Sequence, residues 1–165
     1  KETLKLLPSI PYDFNLSEVM ASQATFAALD ENVLNIQITD TAENINLDWD
    51  SLQTLYGSVD LPGKLTDLTF TDYGPLKLTA QQALNSSLLS EVTVSNPVTV
   101  KDSAANISAN WNSLVTLFGI GDGKFRSVEM TDPTNKVLLT TAQQSAGSYL
   151  IRELPLEQES VQIVS

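Results

Sequence analysis

Four aspartates recur along this chain at nearly even intervals. They are Asp40, Asp72, Asp102 and Asp132, with spacings of 32, 30 and 30 residues. Carboxylates repeated in this way suit two chemistries. One is a calcium ladder: calcium takes about six to eight oxygen ligands, and stacked turns can bring two carboxylates to one ion. The other is helix capping, repeated because the fold repeats. We take capping as the primary reading. No cofactor is implied, and calcium is the one ion the column would admit.

Other residues able to do chemistry are less ordered. Asn44 and Asn106 hold equivalent early-helix positions and suit hydrogen bonds to loop backbone between neighbouring units. Trp49 and Trp111 could stack on a sugar, but they fall in an apolar stripe and read as core. Glu153, Glu157 and Glu159 cluster without the facing-carboxylate arrangement that glycoside hydrolysis needs. Ser86 and Ser87 have no histidine to activate them, since the chain contains none. It also has no cysteine, which removes thiolate nucleophiles, zinc-thiolate sites and disulfides. No phosphate-binding loop or dinucleotide fingerprint occurs. The expectation is a protein that is not an enzyme.

The 165 residues carry a formal net charge of -11, with only nine Lys and Arg. Such a surface repels nucleic acid and anionic lipid. No stretch approaches the roughly 18 consecutive apolar residues of a membrane span, so insertion is not expected. Lys1 to Phe14 holds a short apolar run with Leu4 and Leu6 but does not read as a signal peptide.

The elements that position these residues follow from an internal repeat. Residues 38–57, ITDTAENINLDWDSLQTLYG, match residues 100–119, VKDSAANISANWNSLVTLFG, at an offset of 62. Thr79-Ala80-Gln81-Gln82 recurs as Thr141-Ala142-Gln143-Gln144, and Gly63-Lys64 as Gly123-Lys124.

A finer period lies inside. Runs 35–40, 67–72, 97–102 and 127–132 alternate apolar and polar residues and end in the column aspartates, and 160–164 follows at the next interval. Alternation predicts strands with one dry and one wet face. The wet face carries Gln37, Thr39, Thr69, Thr71, Thr99, Lys101, Glu129 and Thr131. Thr suits exposed strand positions in general, so this array needs no ligand.

Between the strands the period becomes helical. Ile45, Trp49, Leu52 and Tyr56 form one stripe, and Ile107, Trp111, Leu114 and Phe118 another. Each strand-ending Asp is placed to cap the helix after it, Asp40 with Glu43 in a capping box. Gly57 and Gly119 sit where those helices should stop. Thr79 and Thr141 are expected to cap shorter helices, with brief extended pieces before them at Leu76-Leu78 and Val137-Leu139.

One strand and one helix per unit implies parallel strands. The expected fold is therefore α/β: a right-handed β-α solenoid with one parallel sheet and helices on one face. A sheet covered on both faces, or a compact α+β fold, remains the competing reading. The divisions are residues 1–34, an N-terminal segment with a degenerate capping repeat; 35–96, repeat 1; 97–159, repeat 2; and 160–165, a terminal strand.

The run DSAANISANWNSLVTLFGIGDGKFRSVEMTD resembles the DTAANI-type repeats of very large secreted bacterial proteins. Those repeats occur beside hemolysin-type calcium-binding repeats, in proteins exported by type I systems. The resemblance covers about residues 38–151, twice over, and the first copy departs further, with TAENINLDW for TAANISANW. It implies an extracellular or cell-surface location and a role in adhesion or surface architecture. The glycine-rich nonapeptide of hemolysin-type calcium sites is absent, so those sites are not carried over. The expected function is a structural repeat module, self-assembling into a fibre, surface layer or adhesin stalk. Its partners would be itself or other cell-surface components. The terminal strand, with Val161 and Ile163, would pair with an N-terminal region carrying Leu4 and Leu6. The alternative is a module that binds glycan or protein through the exposed sheet face.

Overall fold

The computed structural model describes residues 12–22, 36–57, 65–120, 123–153 and 160–164. The chain divides into two compact units, Lys1–Gly74 with Ser86–Asn96, and Pro75–Asn85 with Pro97–Ser165. Both are α/β, with parallel strands and helices interleaved between them.

In the first unit, β1 (Tyr12–Phe14), β2 (Ile36–Asp40), β3 (Leu65–Phe70) and β5 (Thr93–Val94) form one sheet in that order, all parallel. Its helices are α1 (Leu16–Ala21), α2 (Ala42–Leu47), α3 (Trp49–Gly57) and α5 (Ser87–Glu91). The strands present Ile36, Ile38, Leu68 and Phe70 to the core, where they meet Ile45, Trp49, Leu52 and Tyr56. All four members of the expected stripe are buried. The expected single helix over 41–56 is broken at Asp48, the C-cap of α2.

In the second unit, β4 (Leu76–Leu78), β6 (Val98–Asp102) and β7 (Phe125–Met130) form a parallel sheet. A separate pair joins β8 (Val137–Thr140) and β9 (Val161–Val164), also parallel. Its helices are α4 (Ala80–Leu84), α6 (Ala104–Ile120), α7 (Thr141–Ala146) and α8 (Ser148–Glu153). Here the second stripe forms one unbroken helix. Ile107, Trp111 and Leu114 are buried, and the ring of the half-buried Phe118 packs against Phe125, tilted by 40° with centroids 5.4 Å apart.

The single sheet expected from the five evenly spaced strands is corrected to three. The break between the first sheet and the others falls at two junctions between units, each marked by a proline. Proline has no amide to donate to a ladder. At the first, the chain leaves β3 through 71–75, ending at Pro75. At the second, β5 is only two residues long and runs into Ser95-Asn96-Pro97. There the ladder gives way to side chains. Phe70 N donates to Ser95 Oγ at 3.2 Å, and Asn96 Nδ2 donates to the carbonyls of Asp72 and Gly74 at 2.9 and 2.8 Å.

The two repeats share an irregularity that periodicity missed. The β2–β3 register slips between Ile36 and Gln37, and the β6–β7 register slips between Val98 and Thr99. Thr66 and Arg126 are the extra residues of these bulges, which is why the alternating reading began only at 67 and 127. Gly123, just before β7, has φ 75°, a left-handed position that suits glycine. Residues 23–35, which hold most of the segment read as a capping repeat, lie outside the described residues. So does Gly63.

Gly147, between α7 and α8, is required for a steric reason. A Cβ there would lie 2.6 Å from Trp111 Cζ2 and 2.7 Å from Nε1. Its φ of -100° is open to any residue, so the constraint is packing alone. Trp111 is fully buried and cannot retreat. Gly147→Ala should therefore destabilise the chain by about 1–3 kcal/mol in urea unfolding. Gly57→Ala, with nothing among the described residues within 4 Å of the added carbon, should be neutral or mildly stabilising.

Candidate functional site: the aspartate column

The aspartate column is built at the junction between each strand and the helix of the preceding coil, a coil being one strand with the helix that follows it. Asp40 Oδ2 accepts from Leu16 N at 3.0 Å, and Asp72 Oδ1 from Ala42 N at 3.1 Å. In the second unit, Asp102 Oδ2 accepts from Ala80 N at 3.0 Å and Asp132 Oδ1 from Ala104 N at 2.7 Å. Leu16, Ala42, Ala80 and Ala104 are each the first residue of a helix. Every column aspartate therefore caps a helix that begins 22 to 30 residues before it.

This corrects the expected capping scheme. The helix after the strand is capped by the next residue instead. Thr41 Oγ1 accepts from Asn44 N, and Ser103 Oγ accepts from Asn106 N, each at 3.2 Å. The capping box of Asp40 with Glu43 does not form, because Thr41 is the N-cap and places Asn44 at the third helical position. Asp40 Oδ1 instead accepts from Thr41 N at 2.8 Å and Asn44 Nδ2 at 2.7 Å. Asp102 Oδ1 repeats the pattern with Ser103 N at 2.8 Å and Asn106 Nδ2 at 2.7 Å. Asn44 and Asn106 thus orient the aspartate of their own coil, and the aspartate makes the contact between coils.

Capping elsewhere also shifts by one residue. Thr79 caps α4 as expected, and Gln82 completes a full capping box with it. In the second repeat the cap is Thr140, boxed with Gln143, and Thr141 is the first helical residue. The offset of the TAQQ segments is therefore not the structural one. Thr140 is the residue equivalent to Thr79, because both follow the last inward Leu of a strand, Leu78 or Leu139.

Hydrogen bonds lower the carboxyl pKa at two members of the column, Asp40 and Asp132. For Asp40, partial burial alone works to raise the carboxyl pKa. The bonds from Asn44, Thr41 and Leu16 outweigh it and hold the group below an ordinary aspartate. The Asp132 carboxyl is likewise lowered, first by Asn135 Nδ2 at 2.7 Å and then by Ala104 N. Asp102 is 7 % exposed and accepts three hydrogen bonds. A calcium ion at these carboxylates would compete with amide donors already within 3.1 Å. Among the described residues, no group of three or more His, Cys, Asp or Glu is gathered to hold a metal ion.

The wet face is more closed than alternation suggested. Thr99, expected on the exposed face, is buried at 2 % exposure. Its hydroxyl shares a 2.8 Å hydrogen bond with Ser127, and Lys77 Nζ crosses the face to Glu129 Oε2 at 3.2 Å. Lys101 Nζ lies 3.9 Å from the same oxygen. Gln37 and Thr69 bond to each other at 2.8 Å, and both are half-buried, as are Thr39 and Glu129. Lys101, Thr71 and Thr131 are exposed. Polar side chains on this face reach across strands to one another, which covers the central positions.

The remaining candidates are placed as follows. Trp49 and Trp111 are core residues. Trp111 Nε1 donates to the Gln143 carbonyl at 2.9 Å, whereas Trp49 Nε1 is buried with no partner among the described residues. Ser86 caps α5 and donates to Gln53 Oε1 at 2.6 Å, and Ser87 Oγ accepts from Gln53 Nε2 at 3.1 Å. Val161 and Ile163 lie in β9. Leu4, Leu6, Glu157 and Glu159 lie outside the described residues. An open cleft of about 840 Å³ is lined by Ala104, Ala105, Ser108 and Ala109 of α6 with Asp132, Lys136, Leu138 and Gln162. No family model, curated protein or solved structure matches the chain.

Sequence reasoning missed the coil-to-coil bond. The available signal was Ala at the first helical position in Ala42, Ala80 and Ala104, each near one repeat length before a column Asp. Asp102→Ala should cost about 3 kcal/mol in urea unfolding, since it strands a helix amide and the Asn106 amide together. Asp102→Asn should cost less, because it keeps one acceptor oxygen.

The pH dependence follows from the lowered pKa values of Asp40 and Asp132. Their stabilisation is present above the unfolded aspartate pKa of about 3.9 and is lost as pH falls through the lower folded values. A thermal midpoint followed from pH 7 downward should hold until near that range and then drop. The drop should be shallower in Asp40→Asn.

Proposed function

We propose that this chain is a structural module: a right-handed β-α solenoid, helices on one face, from a secreted or cell-surface protein that self-associates. The observation that carries this reading is the aspartate column. The most regular polar residues of the sequence are all directed at the protein's own backbone, each joining one coil to the next. That is the energetics of a repeat array, in which stability is a sum of nearest-neighbour contacts. The parallel pairing of every strand within its unit supports the same reading. The extracellular setting rests on the resemblance to DTAANI-type repeats.

The alternative is a binding module for glycan or protein. The exposed Lys101, Thr71 and Thr131 and the cleft beside Leu138 are the places that favour it.

Sedimentation across a wide concentration range, with electron microscopy of the concentrated sample, tests the choice. Self-association into regular assemblies is the expected outcome. A monodisperse monomer throughout, together with retention on a polysaccharide or protein array, would transfer the assignment to the binding module.

A further inference from the structure

The two repeats present opposite surfaces at one equivalent place. Among the described residues, the two most exposed large apolar side chains are Tyr73 at 102 % and Leu47 at 77 %. Both belong to one neighbourhood. Leu47 is the last residue of α2. Tyr73 follows Asp72, whose carboxylate accepts from Ala42 N at the start of α2, and the next residue, Gly74, lies against the Ala42 methyl. The exposed Glu43 stands one helical turn before Leu47, on the same face of α2. This corner of the first unit is an apolar knob with a carboxylate beside it.

In the second repeat the same positions open a cleft. At the offset of 62, Glu43 becomes Ala105 and Leu47 becomes Ala109. These alanines, with Ser108 of α6 and Leu138 of β8, line the open cleft of about 840 Å³. Leu138 is the third most exposed large apolar residue among those described, at 46 %. The two walls are tied together, since Ser108 Oγ accepts from Leu138 N at 2.8 Å and donates to the Ala104 carbonyl at 2.6 Å. The exposed Lys136 also stands in the lining. The acid of the lining, Asp132, has both carboxylate oxygens bonded, one to Ala104 N and one to Asn135 Nδ2. The cleft therefore offers apolar walls and a cation, which is the complement of the knob.

We propose that the Leu47 face of α2 in one copy docks into the cleft beside Ala105 and Ala109 in a second copy, with Glu43 set against Lys136. This deepens the self-association reading and rests on it. Charge favours this pairing over a symmetric one. The first unit holds 13 acidic and three basic residues and the second holds seven and six, net charges of -10 and -1. Two Leu47 faces meeting would bring two strongly acidic units together, with Glu43 and Asp48 on each side. Docking on the second unit avoids that repulsion and supplies a lysine for the carboxylate. An apolar side chain seated in a pocket of a neighbouring copy is a heterologous contact, to which each copy contributes one knob and one cleft.

Sedimentation velocity of the full chain and its variants tests the proposal, with circular dichroism to confirm folding. All the substituted positions are exposed. Leu47→Ala, which removes the knob, and Ala109→Gln, which fills the cleft, should each weaken self-association about tenfold. Ala142→Gln, at an exposed alanine outside the cleft lining, should assemble like the parent. Glu43→Lys and Lys136→Glu should each weaken association, and the two together in one chain should restore it. Since the chain has no cysteine, Leu47→Cys and Ala109→Cys proteins can be mixed and oxidised. A disulfide between the two variants is expected. Parental association in Leu47→Ala and Ala109→Gln, no recovery in the double charge variant, or disulfides within each variant alone overturns this contact while leaving self-association standing. So does an Ala109→Gln chain that assembles normally but loses retention on a polysaccharide or protein array, which assigns the cleft to another partner. A parent chain that never associates overturns both.

Discussion

The structure depends on one bond type, a carboxylate from one coil closing the helix start of the coil before it. A helix begins with amides that have no intrahelical partner and with a partial positive charge. An aspartate answers both. Asp40 and Asp102 are the last residues of β2 and β6, and Asp72 and Asp132 follow the ends of β3 and β7 by two residues, so each bond fixes how a strand leaves its sheet against the preceding helix. Asp40 and Asp102 go further, each accepting from the first amide of its own loop and from an asparagine one helical turn on. One carboxylate therefore ties the strand end, its own helix and the preceding helix into a single network.

That network explains which differences between the repeats are tolerated. The turn after Asp72 reaches Leu76 in four steps, and the turn after Asp132 reaches Val137 in five. The column aspartates stay in register all the same, because the added residue lies in a loop after the capping bond has been made. The closer turn brings Gly74 against Ala42, where an added Cβ would lie 3.0 Å from the alanine methyl. The second repeat places a further residue at the start of α7, and capping moves to Thr140. Loops and first turns absorb change, whereas the Asp, the helix start opposite it and the inward strand residues do not.

The core imposes the second constraint. The coils that begin at β2 and β6 each contribute two inward strand residues and a helical stripe that holds a tryptophan, Trp49 or Trp111. Trp111 is held by contact with Gly147 and by its bond to the Gln143 carbonyl. At β9, which among the described residues pairs with β8 alone, Ile163 is 42 % exposed.

The sequence by itself determined the elements. Alternation located β2, β3, β6, β7 and β9 but not the short β1 and β5, and the stripes of Ile45, Trp49, Leu52 and Tyr56 and of Ile107, Trp111 and Leu114 located the buried helix faces. Burial of one face is a local property of spacing, so these were legible. The tertiary structure alone decided the rest. Alternation cannot tell which strands share a sheet, because pairing joins segments distant in the chain that all alternate alike. Nor can it tell that Thr99 is covered, because Lys77 reaches Glu129 over it from residues distant in the chain. The role of the aspartates was divided between the two levels. That they cap helices follows from residue type and position. Which helix they cap depends on the partner amide, which lies a whole coil earlier and is brought near only by parallel pairing.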